Sequence, residues 1–258
     1  MSANARGWLH RDGGWIPADS LPLTDRGVRY GMAVFETIGI RDGKALFLAE
    51  HTRLLSASAK DLLGTTLDPT LPPLNADDRG VLRIYITAGD GGPADAAGAA
   101  RSFALFEPVG GELPERQTAR LNPQAVFPFA NGAKTANYWM QCAAQAAGRS
   151  EGFDHAILFD HEGRLLSAAM GNIFFTLNGE LCTPSPSLPV RPGVMRSWVM
   201  AQQSTREIEF PAWRLEEVGE IFLTNSRLGV MPLQSGKIGP GPVGCALRDR
   251  CRREKIIP

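Results

Sequence analysis

Cysteine is scarce in this 258-residue chain. Cys142, Cys182, Cys245 and Cys251 are scattered and none forms a C-x-x-C pair, so neither a disulfide framework nor a thiol metal knot is indicated. A reduced, cytoplasmic protein is the expectation. An excess of either charge is missing too: 27 Lys plus Arg balance 27 Asp plus Glu, which leaves no electrostatic footprint for nucleic acid or an anionic membrane. No uninterrupted apolar run is long enough to span a bilayer, and the N-terminus shows no basic-then-apolar leader pattern. The histidines, His10, His51, His155 and His161, are too spread out to argue for a metal site, and no H-E-x-x-H occurs. No repeat of solenoid period is visible.

Hydrophobic residues make up 43% of the chain, so a packed core is expected. Strands in runs with interspersed helices predict α+β layers rather than a doubly wound sheet. The Gly110-Gly111 to Pro114 stretch is the best boundary, giving a smaller domain over 1–112 and a larger one over 113–258. In the first, Asp42-Gly43 predicts a tight hairpin with a return strand at Ala45–Leu48. An amphipathic helix follows from Ala49 to about Leu63. The Gly/Ala-rich tract from Ala88 to Ala100 reads as a mobile loop. In the second, Asn178-Gly179 predicts another hairpin, Ile208–Phe210 a strand, and Gly193-Val194-Met195-Arg196 a helix start. The basic tail from Arg248 to Lys255 reads as the solvated face of a terminal helix.

The chemistry is carried by Ala133-Lys134-Thr135-Ala136-Asn137-Tyr138-Trp139. Lys134 is the last charge before an uncharged, Ala-rich run that Gly148 is placed to stop, so it is expected where a strand or loop feeds a helix. A lysine at such a mouth is easily desolvated, which lowers its pKa and suits a Schiff-base nucleophile. Taken alone, the segment reads more simply as a solvated lysine ahead of a helix. Three further features are compatible with a phosphate site. Arg53 sits near one helix start, the Gly193-Val194-Met195 amides open another, and Thr224 and Ser226 supply hydroxyls at a strand end. A phosphate partner with a Schiff-base lysine is what pyridoxal 5′-phosphate (PLP) requires.

The order and spacing of several segments resemble the class IV aminotransferases, the fold type IV PLP enzymes. That family includes branched-chain aminotransferase, D-amino acid aminotransferase and aminodeoxychorismate lyase. The resemblance rests on Asp25-Arg26-Gly27-Val28-Arg29-Tyr30-Gly31 with Phe35-Glu36-Thr37, on Glu50-His51-Thr52-Arg53-Leu54, and on Lys134-Thr135-Ala136-Asn137-Tyr138. It continues through Asp160 to Gly163, Gly171-Asn172-Ile173-Phe174, Thr183-Pro184, Pro192-Gly193-Val194-Met195-Arg196 and Phe222-Leu223-Thr224-Asn225-Ser226. It implies a two-domain α+β fold, with the lysine in the larger C-terminal domain, a homodimer and a small-molecule amino substrate. By residue it implies Lys134 as the cofactor lysine and proton carrier, and Arg53 as the phosphate's cationic partner. Val194 and Met195 match the helix-start amides, Ser226 a phosphate-contacting hydroxyl, and Tyr138 a residue near the cofactor's phenolic oxygen. Thr37 lies on the strand that faces substrate.

One position departs from the pattern. Four residues after Gly163 the family usually carries a Glu that keeps the pyridine nitrogen protonated; here it is Ser167. A hydroxyl does not stabilise a pyridinium as a carboxylate does, so the ring is a weaker electron sink. The alternative is that Glu162 or another nearby acid substitutes. The Asn225-Ser226-Arg227-Leu228-Gly229-Val230-Met231-Pro232 segment resembles that of aminodeoxychorismate lyases, so the expected reaction is loss of pyruvate from 4-amino-4-deoxychorismate to give 4-aminobenzoate. The second expectation is an aminotransferase for D-amino acids, branched-chain amino acids or amines, and the third a PLP-binding scaffold without turnover. Gly39 and Ala88 stand where a carboxylate-holding arginine is expected, leaving Arg41 and Arg29 as candidates.

Overall fold

Tight turns at Asx-Gly pairs set the hairpins of the first half of the chain. The computed structural model describes residues 5–65, 70–96, 98–111, 113–125 and 132–257, with backbone alone for 122–125. Strands β1 (Arg6–Arg11) and β2 (Gly14–Pro17) meet at Asp12-Gly13, whose φ angles of 52° and 81° are the left-handed pair that a two-residue hairpin needs. Helix α1 (Arg26–Tyr30) starts on Asp25, whose carboxylate accepts from the Gly27 N–H at 2.7 Å. Strand β3 (Ala33–Arg41) turns at Asp42-Gly43, again with both φ positive, into β4. The expected return strand is short: β4 is Lys44–Ala45, because Phe47 turns left-handed and opens α2 (Leu48–Leu63). Helix α2 ends at Gly64, left-handed at φ 65°. Strands β5 (Gly80–Thr87) and β6 (Arg101–Pro108) complete an antiparallel sheet in the order β2-β1-β6-β5-β3-β4.

Alternation along these strands gives the sheet two unlike faces. Val34, Ile38 and Ile40 of β3, with Leu82, Ile84 and Ile86 of β5, pack on Leu55 and Ala59 of α2. The opposite face carries Phe35, Tyr85 and Phe103, whose rings stack in a row with centroids 4.9 and 4.4 Å apart. The tract after β5, expected to be mobile, is tied to α1 instead. Arg26 is buried, donates to the Ala88, Asp95 and Ala96 carbonyls, and its own N–H reaches the Gly89 carbonyl at 2.8 Å.

The second unit is built on β7 (Gln117–Ala125), α3 (Trp139–Ser150), β8 (His155–Phe159), β9 (Leu165–Ala168), β10 (Asn172–Leu177) and β11 (Glu180–Pro184). It continues with α4 (Val194–Gln202), β12 (Thr205–Ile208), β13 (Val218–Asn225), β14 (Gly229–Gln234) and α5 (Pro242–Arg253). Its sheet runs β12-β11-β10-β13-β14-β7-β8-β9, with parallel pairs at β11–β12, β14–β7 and β7–β8. Ile157, Phe159, Leu165, Ile173, Phe175 and Leu223 form the centre of its core. Two expectations are corrected. The strand placed at Ile208–Phe210 lies at Thr205–Ile208, where it pairs with β11; Phe210 instead plugs the core. Arg248 is not solvated: it is buried beneath α5, donating to the Leu113 and Pro114 carbonyls and to Met231 Sδ.

Among the described residues, those up to Gly111 with Ala133–Asn137 and Ile257 form the first unit, and those from Leu113 to Gly132 and from Tyr138 to Ile256 the second. The lysine segment, expected in the second domain, packs with the first because its backbone pairs with β3.

Candidate active site

Lys134 lies alongside β3 as a short extended strand. The Phe35 N–H donates to the Lys134 carbonyl and the Ala136 N–H to the Ala33 carbonyl, both at 2.8 Å, with Thr135 bridged to Val34. Strand pairing therefore occupies the residues just after the lysine, and α3 starts only at Trp139, with Tyr138 as its N-cap. Lys134 is half-buried, and its Nζ donates to Thr37 Oγ1 at 2.6 Å. The ammonium lies 4.4 Å from the centroid of the Phe35 ring, the end member of the aromatic row. Phe35 and Thr37 share a strand face by alternation and both touch Lys134. The sequence names Thr37 but gives Phe35 no role beyond its motif.

On the first unit, Arg53 follows His51 into α2, is exposed, and makes no ion pair among the described residues. The two arginines left as carboxylate candidates are engaged by backbone carbonyls of the first unit. Arg41 donates to the Ile257 carbonyl at 2.9 Å; Arg29 donates to the Gly91 carbonyl at 3.2 Å and stacks on Tyr30. Arg83 was missed: it lies directly across from Thr37 in the β3–β5 register, half-buried and paired with Glu107. Strand alternation and an antiparallel pairing of β3 with β5 would have found it, but the register was not legible from the sequence. Beside it, burial raises the pKa of the Tyr85 hydroxyl and the Arg83 charge opposes that rise.

On the second unit, α4 begins at Gly193 with no side-chain cap and no acid in its first turn. A nine-residue helix opening on bare N–H groups favours an anion through those donors and its dipole. The approach is tight. A Cβ on Gly193 would meet Asn172 Oδ1 at 2.2 Å, and Asn172 Nδ2 in turn holds the Arg191 carbonyl at 2.8 Å. Asn172 pairs across β10–β13 with Thr224, whose buried hydroxyl has no hydrogen-bond partner among the described residues. Past Thr224, the Asn225 side chain accepts from the Arg227 and Leu228 N–H groups at 3.0 and 2.8 Å, shaping the turn that carries half-buried Ser226. Val194 and Met195 are buried at the helix start. Uncapped N–H donors with an unpartnered hydroxyl close by in the sheet register fit a phosphate better than a cation.

Ser167 sits in β9 opposite Leu158, half-buried, and its hydroxyl makes no hydrogen bond among the described residues. The acids of the preceding turn are committed elsewhere. Glu162 is exposed and paired with Arg164 at 3.0 Å, and Asp160 holds Arg164 Nε at 2.7 Å. Burial acts to raise the Asp160 pKa, but the hydrogen bonds from Arg164 outweigh it and the net shift is downward.

The family model for amino-transferase class IV matches residues 33–235. The chain belongs to the class IV aminotransferases. It is 26% identical to the aminodeoxychorismate lyase of Vibrio harveyi over 84% of this chain and 88% of that protein. The crystal structure of 4-amino-4-deoxychorismate lyase from Pseudomonas aeruginosa superposes with a TM-score of 0.79 at 24% identity, covering 96% of this chain and 98% of the other. An aminotransferase from Brucella abortus bound to the cofactor PLP gives 0.78 at 22% identity, covering 96% and 99%. The fold is thus the two-domain α+β fold type IV arrangement. Within this class IV aminotransferase, no described helix is long and apolar enough to cross a membrane.

Proposed function

We propose that this class IV aminotransferase is a PLP-dependent lyase that removes pyruvate from 4-amino-4-deoxychorismate and releases 4-aminobenzoate. The observation that carries the cofactor reading is the half-buried Lys134 amine held by Thr37 at 2.6 Å over the Phe35 ring. When bound, PLP supplies an aldehyde that condenses with a primary amine and a ring that accepts an electron pair. Lys134 is the amine assigned to it. Arg53, the Val194 and Met195 N–H groups and Ser226 are the phosphate ligands, and Tyr138 is assigned to the phenolic oxygen.

Lys134 Nζ, once free, is the base that takes the substrate's ring proton, and Thr37 Oγ1 holds that amine in line and can relay the proton. Arg83, across from Thr37, is a cation suited to a substrate carboxylate. Ser167 presents a hydroxyl where ring protonation calls for a carboxylate, and no acid of the adjacent turn is free to replace it. A weaker electron sink penalises transamination more than a loss of pyruvate that makes an aromatic ring. Likeness to the V. harveyi lyase along most of both chains supports the same choice.

The family match and the PLP-bound aminotransferase neighbour support the second reading, amino-group exchange with a D-amino acid, a branched-chain amino acid or an amine. Holoprotein incubated with 4-amino-4-deoxychorismate is expected to release 4-aminobenzoate. Keto-acid exchange from D-alanine or L-leucine with 2-oxoglutarate, without that release, overturns the lyase reading. Borohydride reduction is expected to leave a pyridoxyl mass on the Lys134 peptide; its absence sinks both.

A further inference from the structure

Glu36 sits between the two residues of β3 that touch Lys134, yet points to the other side of the sheet. Its neighbours there are Val34 and Ile38, packed on Leu55 and Ala59 of α2. At 2% exposure it is a carboxyl in an apolar core. His51, 3% exposed on the first turns of α2, meets it with Nδ1 2.9 Å from Oε2. A polar pair this deep is costly to desolvate unless each group satisfies the other, so the contact fixes both elements. The same helix carries Arg53, and the same strand carries Phe35 and Thr37.

We propose that Glu36 and His51 are positioning residues for Lys134. Their bond sets the roll of β3 about its own axis, and that roll decides whether Thr37 Oγ1 and the Phe35 ring face Nζ. This rests on the reading of Lys134 as the cofactor's amine. Neither residue touches Nζ; both act through the strand. Rotation between neighbouring strands varies over about 10–35° among sheets, so a ladder tolerates a change of roll, and a misplacement of about 1 Å at a reacting atom costs on the order of 100-fold.

The test uses the full chain with added PLP and follows the borohydride-trapped adduct on the Lys134 peptide against time. The double variant Glu36→Met/His51→Leu removes both polar groups together, so neither is left buried opposite a lost partner. Adduct formation in it is expected to slow about tenfold or more, with the near-ultraviolet circular dichroism of the wild type. Glu36→Gln keeps an oxygen acceptor for Nδ1–H and is expected to stay within about twofold. Glu36→Leu/His51→Met, which also removes both polar groups, is the second disrupting variant and decides the matter if the first double variant does not fold. Wild-type rates in a folded disrupting variant, or equal slowing by Glu36→Gln, overturn the proposal. If the wild type forms no adduct, the cofactor reading fails. The positioning is then decided by the rate of reductive methylation of Lys134 relative to exposed Lys44 and Lys237 in the same proteins. A ratio unchanged between wild type and disrupting variants overturns it, and a change of about threefold or more, with Glu36→Gln like wild type, upholds it.

Discussion

Gly193→Ala is the sharpest probe of the helix start assigned to the phosphate. The backbone at Gly193, φ −68° and ψ 146°, is open to any residue, so the variant meets no conformational penalty. Its added methyl would stand 2.2 Å from Asn172 Oδ1, well inside an ordinary contact. Asn172 is buried and cannot swing into solvent, so either its amide withdraws or the first turn of α4 lifts. Withdrawal breaks the 2.8 Å bond to the Arg191 carbonyl. Leaving a buried polar group unsatisfied costs about 1–3 kcal/mol, and overpacking adds a similar amount. A loss of about 2 kcal/mol in unfolding free energy is expected, read by urea denaturation without cofactor. If the Val194 and Met195 N–H groups hold the phosphate, lifting them weakens PLP binding about tenfold or more, read by titration of tryptophan fluorescence. Removing the obstructing amide in Gly193→Ala/Asn172→Ala should recover part of the loss, giving a favourable coupling of about 1 kcal/mol or more in the cycle. A Gly193→Ala protein that melts and binds PLP like wild type refutes both the steric argument and the assignment.

Thr37→Val removes the hydroxyl 2.6 Å from Lys134 and should lower kcat roughly 100-fold while the trapped Lys134 adduct still forms; unchanged kcat rules Thr37 out of proton transfer. Ser167→Glu puts a carboxylate at the position proposed to face the ring nitrogen and is expected to raise the half-reaction with amino acids about tenfold, followed by single-turnover absorbance; no gain would mean that Ser167 does not limit the electron sink. Burial, chiefly, pushes the His155 pKa down to about 4 from 6.5, with Nε2 bonded to Gln117 and Nδ1 buried without a partner among the described residues. The unfolded chain therefore binds the extra proton first. Stability is full above pH 6.5 and falls by on the order of 3 kcal/mol as the pH drops toward 4. Urea midpoints across that range should flatten in His155→Gln, and an equally steep fall in the variant assigns the acid sensitivity elsewhere.

Local chemistry made much of the architecture legible. Asp42-Gly43 and Asn178-Gly179 both turn with two positive φ angles, because the hairpin twist demands left-handed residues and Asx-Gly tolerates them. Helix α2 spans Leu48–Leu63 against an expected Ala49 to about Leu63, since its apolar stripe is a property of nearby positions. Expectations failed where a distant partner outweighed local preference. The Ala-rich run after Lys134 favours a helix from Thr135, but Lys134 to Ala136 pair with β3, and α3 begins only at Trp139. The basic tail looked solvated, but carbonyls from residues more than a hundred positions earlier draw Arg248 inward.

The sequence by itself determined the α+β class, the hairpins and the uncapped helix start at Gly193, because each is written in residues near one another; the candidate amine at Lys134 rested on the order of motifs along the whole chain. Only the tertiary structure decided that Thr37 and Phe35 face Lys134, that Glu36 and His51 close a buried pair behind them, and that Asn172 leaves room for nothing larger than glycine at position 193. Those outcomes depend on strand register and roll. Register and roll are set by how whole faces pack, a cooperative property that no short run of residues specifies.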